Sequence, residues 1–173
     1  MAVALYYSSQ LYNTKDMFTE LSIAWGVEPV KVRLIGDLVE FGSEQMLNFM
    51  VNEGSWKHKG YALIFVRYDG FSKLSNMIIL NLPVWTRIYD IPVGMMTSFF
   101  IRALGNKVGL VLEIGESIKD FKRVKINFPL ADPLKKSIPI KVKSCGVMEF
   151  VVKYEGVPLF CFNCGHIGHA MRE

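Results

Sequence analysis

The sequence predicts an α+β fold in which helices cover one face of a mostly antiparallel sheet, followed by a short tail of different character. Three observations predict it. Segments with helical spacing of apolar residues interrupt segments of strand character, in the order helix, two strands, helix, two strands, helix, four strands. The last four strand segments follow one another with short turns, as a meander does. Two of the three cysteines and two of the three histidines lie within 161–173.

Each element has its own signal. Residues 14–25 open on a Thr/Asp cap, and Met17, Leu21 and Ala24, with Phe18 and Trp25 beside them, share a helical face that Gly26 terminates. Residues 30–42 read as two strands about a tight turn at Gly36-Asp37. Ser43 caps a helix over 43–54 with a stripe of Met46, Leu47 and Met50 and a stop at Gly54. Residues 58–70 form one strong strand of aromatic and β-branched residues, and 70–81 read as loop. Another strand over 82–92 is closed by Pro92, and a helix over 95–109 points Phe99, Ala103 and Leu104 inward. The meander strands are 110–116, 121–130, 138–143 and 147–158. Trp25, Trp56 and Trp85 are expected to be largely buried.

Composition bounds the function. With 173 residues and 51% hydrophobic content the chain can build a true core. No apolar run approaches the ~20 residues of a membrane span, and the N-terminus lacks the pattern of a secretory signal. An odd count of three cysteines makes no disulfide framework. These features predict an intracellular protein, nuclear or cytoplasmic, that is not secreted. The net charge of +4 is modest, but it is uneven: residues 117–160 hold nine Lys/Arg against four acids, leaving the remainder at −1. A basic face late in the chain suits phosphates. The plainer reading is a sheet edge protected by lysines.

The tail carries the sharpest motif. Cys161, Cys164 and His169 spell C-x2-C-x4-H, with Gly165 and Gly168 between. Two thiolates separated by two residues can turn toward one point, and the glycines let the backbone fold beneath a metal. A tetrahedral structural site needs a fourth ligand. At knuckle spacing its slot falls immediately after Glu173, so the sequence is expected to be a fragment or a truncated product. The implied cofactor is structural zinc, in a site incomplete within these residues. His166 is expected to face solvent or nucleic acid, and Cys145 to be an ordinary thiol. So small a segment has no core of its own, so it is expected to pack loosely and to owe its fold to the metal.

A loop of this kind suits unstacked bases. Phe162 is the candidate stacker, Met171 the opposite wall and Arg172 a phosphate contact; the alternative for Phe162 is packing on the domain body. Lys122, Arg123 and Lys125 are the candidate phosphate contacts of the late strands. By alternation Arg123 and Lys125 share a face opposite Val124 and Ile126, which should point to the core. Lys59-Gly60-Tyr61-Ala62 opens like an RNA-binding strand signature, but Leu63 and Ile64 break the match.

In combination these residues resemble a known family. The tail resembles the CCHC zinc knuckle of the retroviral type. From about Phe18 onward the chain is similar to plant retrotransposon-related proteins in which the domain of unknown function 4283 precedes a CX2CX4HX4C knuckle. The resemblance rests on the stretches 52–56, 68–70, 84–92, 103–109 and 153–161. It implies a nucleic-acid- and zinc-binding protein like the first open reading frame of LINE-type elements. It also implies an RNA-recognition-like α/β sandwich over 14–116, with a β-meander extension over 117–158 and the knuckle over 159–173. The expected partner is single-stranded RNA or DNA. The alternative is a structural protein that self-associates through its sheet and has a non-functional knuckle. No phosphate loop, nucleophile elbow or paired catalytic carboxylates are recognisable, so an enzyme with a small-molecule substrate is not expected, nor is a membrane partner.

Overall fold

The computed structural model describes residues 1–7, 13–25, 31–32, 38–53, 56–143 and 146–169. The chain forms two compact units, Met1–Ile79, with which Gly168 and His169 group, and Leu80–Ile167. Each is built on a five-stranded antiparallel sheet. The division falls between Ile79 and Leu80. That position lies inside the stretch 14–116.

In the first unit the elements are β1 (Ala2–Tyr7), α1 (Thr14–Trp25), β2 (Lys31–Val32), β3 (Leu38–Glu40), α2 (Glu44–Asn52), β4 (Trp56–His58) and β5 (Tyr61–Arg67), with sheet order β2-β3-β1-β5-β4. The central strand, β1, precedes the first element read from the sequence, the helix over 14–25. Ala2, Ala4 and Tyr6 face α1 and α2, whose Met17, Phe18, Leu21, Leu47 and Met50 pack with Val39, Leu63 and Phe65 into one core. Asn13, not the Thr/Asp pair, caps α1, its Oδ1 accepting from the Lys15 amide at 3.0 Å. Ser43 caps α2 as expected.

The expected strand over 58–70 is a hairpin. Lys59 and Gly60 both take positive φ, the two-residue turn that suits the twist of paired strands. Lys59-Gly60 is thus a turn, and Tyr61 shares its face with Leu63 and Phe65, the face covered by the helices. Trp56 is half-buried and donates from Nε1 to the Met50 carbonyl at 2.9 Å. The Gly36-Asp37 turn, the Gly26 and Gly54 stops, Cys145 and the side chains of Ala24 and Trp25 lie outside the described residues.

The second unit contains β6 (Asn81–Tyr89), α3 (Ser98–Gly105), β7 (Leu110–Ile118), β8 (Phe121–Pro129), β9 (Ser137–Val142) and β10 (Gly146–Glu155). Its order is β7-β8-β6-β10-β9. The four late strands are therefore two hairpins with β6 inserted between them, not a continuous meander. Leu82, Val84, Thr86 and Ile88 alternate inward along β6, as do Val124, Ile126 and Phe128 from β8, joined by Phe150 and Val152 from β10.

Thr97 caps α3, which turns Ile101, Leu104 and Gly105 inward. Phe99 and Ala103 are exposed, a correction to the expected face. Gly105 fixes that face by close approach: a Cβ there would overlap Val111 and lie 3.3 Å from Val124 Cγ1. Trp85 is half-buried. Among the described residues no helix is long and apolar enough to cross a membrane.

Candidate metal centre

The tail leaves β10 through Gly156 and Pro158 and then doubles back on itself. Phe160 and Ile167 form an antiparallel bridge, the Cys161 amide donates to the His166 carbonyl at 2.9 Å, and the Gly165 amide donates to the Cys161 carbonyl at 2.8 Å. Gly165 has φ +79 and Gly168 φ +105, conformations an L side chain rarely takes. These hydrogen bonds curl six residues into a loop that brings Cys161 and Cys164 together, and the chain past Gly168 returns His169 beside them. The three candidate ligand atoms lie within 4.8 Å of one another.

The electrostatics favour the thiolate. The backbone amide of Cys164, and next that of Asn163, point at the Cys161 sulfur and hold its thiol below the ordinary value, against a smaller opposing effect of desolvation. Two sulfurs and an imidazole are a donor set that suits a borderline-soft divalent ion. The residues present therefore fit the implied metal as a three-ligand group. When bound, the ion would be held by Cys161, Cys164 and His169 and would supply cross-linking energy to the loop.

The loop is better anchored than its length suggests. Cys161 and Ile167 are buried, at 5% and 3% exposure. The Leu134 amide donates to the Gly165 carbonyl at 3.0 Å, and a Cβ on Gly165 would sit 3.1 Å from Pro133 Cβ. His166, expected to face outward, places Nε2 3.2 Å from the Ala131 carbonyl. The β8–β9 connection thus supports the turn. Phe162 points away, 80% exposed, with its ring 4.7 Å from that of Phe160. Met171 and Arg172 lie outside the described residues.

The three basic candidates of β8 have separate settings. Lys122 is half-buried and donates to Ser117 Oγ at 3.2 Å. Arg123 forks onto Glu155, with Nη2 2.7 Å from Oε2, and lies 4.1 Å from the centroid of the Trp85 ring. Lys125 is buried and places Nζ 5.7 Å from the same ring. Glu155 also accepts from Arg87 Nε at 2.6 Å. Burial pushes the Glu155 carboxyl up, but the Arg123 and then the Arg87 hydrogen bonds outweigh it and hold the group below its usual range.

Sequence reasoning missed Trp85, Arg87, Tyr89 and Phe121, which share this face. The signal was present as a period of two. Trp85, Arg87 and Tyr89 alternate with Val84, Thr86 and Ile88, as Phe121, Arg123 and Lys125 do with Val124 and Ile126.

No protein-family model matches the chain, and no curated protein or solved structure matches it.

Proposed function

We propose that the protein is a zinc- and nucleic-acid-binding protein of retrotransposon origin, similar to the first-open-reading-frame proteins of plant LINE-type elements, and that it acts without catalysis. The observation that carries this reading is the convergence of Cys161, Cys164 and His169 on one point from a glycine-hinged loop. The exposed Phe162 ring beside it offers a face for an unpaired base. The strand order of the first unit is consistent with an RNA-recognition-like arrangement. There β1 lies between β3 and β5, and β1-α1-β2 is split by β3, as in the split β-α-β motif. The unit differs from an aromatic base-binding platform, because Val3, Ala62 and Ile64 on the face away from the helices are buried aliphatic residues.

Zinc is the metal best suited to two thiolates and an imidazole in a structural role. A cysteine directly after Glu173 would complete the set. The test compares the chain with one extended by that cysteine, in binding single-stranded oligonucleotide with zinc and after chelation. The reading expects zinc-dependent binding that the extension strengthens and Phe162→Ala weakens. Binding indifferent to zinc, to the extension and to Phe162→Ala would overturn it.

A further inference from the structure

The face of the second sheet away from α3 carries a feature that the metal loop does not explain. Four cation–ring contacts among the described residues lie on it: Arg123 over Trp85, Lys125 over Trp85, Arg87 over Phe121 at 5.0 Å and Lys153 over Tyr89 at 4.8 Å. Such contacts occur about once per 70–80 residues, so a chain of this length should show about two, scattered over its surface. Here they are gathered on three adjacent strands. Register produces the gathering: Trp85 pairs with Lys125, Arg87 with Arg123 and Tyr89 with Phe121 across β6 and β8, while Lys153 and Glu155 of β10 pair with Arg87 and Trp85.

The result is two stations. One is Trp85 with the Arg123 guanidinium laid over it. The other is the Tyr89–Phe121 pair, with ring centroids 5.2 Å apart, flanked by Arg87 and Lys153. Trp85 and Tyr89 are four residues apart on one strand, a separation of ~13 Å. With Lys141 of β9 and Glu149 of β10 on the same side, five cations face three acids, Glu113, Glu149 and Glu155, which leaves the face cationic. Lys125 is too deep to meet a phosphate and instead supports Trp85. The Arg87, Arg123 and Lys153 side chains reach solvent.

Resting on the nucleic-acid reading above, we infer that this face is a stacking platform for a few nucleotides of single strand, which makes it a second nucleic-acid contact beside the metal loop. Bases stack on aromatic rings and on guanidinium planes, and phosphates follow the cations between them. An acidic protein surface would engage the cations but leave three rings on one face unexplained.

The test uses the full chain, carrying Phe162→Ala, in chelator, so that the metal loop contributes nothing. Binding of labelled decauridylate is compared with that of an abasic strand of equal length. Tyr89→Leu and Phe121→Leu keep apolar bulk at outward positions, and circular dichroism confirms their folding. Each should weaken decauridylate roughly fivefold or more and leave the abasic strand unchanged. Arg87→Gln should weaken both strands. The platform is overturned if the folded variants bind decauridylate like the parent, if the abasic strand binds as tightly, or if polyglutamate displaces the RNA as effectively as unlabelled RNA does. Zinc-dependent binding by the unmutated chain with none in chelator overturns the platform alone. Binding under neither condition overturns both readings.

Discussion

Leu134 donates its amide hydrogen to the carbonyl of Gly165, tying the residue that follows the second tail cysteine to the β8–β9 connection. The bond gives the loop a fixed support before any ion is considered. Its consequence is that substitutions beneath the loop should disturb metal binding although they touch no ligand.

Gly165→Ala is the most direct of these. The position needs φ +79, and the added methyl meets Pro133. The left-handed conformation alone costs a non-glycine residue about 1–2 kcal/mol. The Leu134 amide should exchange its hydrogen faster by an amount matching that cost, and metal affinity should fall. Unchanged exchange would show that the turn does not depend on the glycine.

His166 should prove dispensable as a ligand. Its Nε2 faces the Ala131 carbonyl. His166→Ala should lose about 1 kcal/mol of local stability yet keep the metal stoichiometry of the parent, whereas His169→Ala should lose it. Metal content after dialysis separates the two; equal losses would make His166 a ligand.

Gly109→Ala tests the packing of the second unit. A Cβ there would lie 2.7 Å from the Asn127 carbonyl oxygen and 3.2 Å from Phe128 Cα, both backbone atoms of β8. Because backbone cannot rotate aside, overpacking of about 1–3 kcal/mol should outweigh the modest entropic gain of removing a glycine. Urea unfolding should show a lowered midpoint.

Glu155 sets an acid dependence. Its folded-state pKa lies below the ordinary value because Arg123 and Arg87 hydrogen-bond the carboxylate. A depressed carboxylate contributes stability that is full above the unfolded pKa of about 4.3 and disappears as pH falls through the lower folded value. Glu155→Gln should therefore be less stable than the parent at neutral pH and converge with it in acid. Parallel stability curves across that range would contradict the assignment.

Much of the architecture is legible in the sequence, and each departure has a cause. The helix over 14–25 is found at its observed limits because its apolar spacing is unbroken. The first strand escapes notice because Ala2 and Ala4 are small and have low strand propensity, yet their size is what lets α1 and α2 approach the sheet. The face of α3 is ambiguous because Phe99, Phe100 and Ile101 are consecutive; the close approach at Gly105, invisible in periodicity, selects Ile101 and Leu104. The insertion of β6 between the late hairpins is a long-range pairing that local pattern does not encode. The metal group is legible because its spacing is chemical and local. The ring–cation face is only half legible, since alternation marks the residues of each strand but register assembles them.

Whether Cys161, Cys164 and His169 form one metal centre is decided by titrating cobalt(II), as a spectroscopic substitute for zinc, into the reduced chain. A thiolate-to-metal absorption band should appear, saturate at one ion per chain, be displaced by zinc, and disappear in Cys161→Ser and in Cys164→Ser. A missing thiolate band, or one that survives either substitution unchanged, would contradict a single centre.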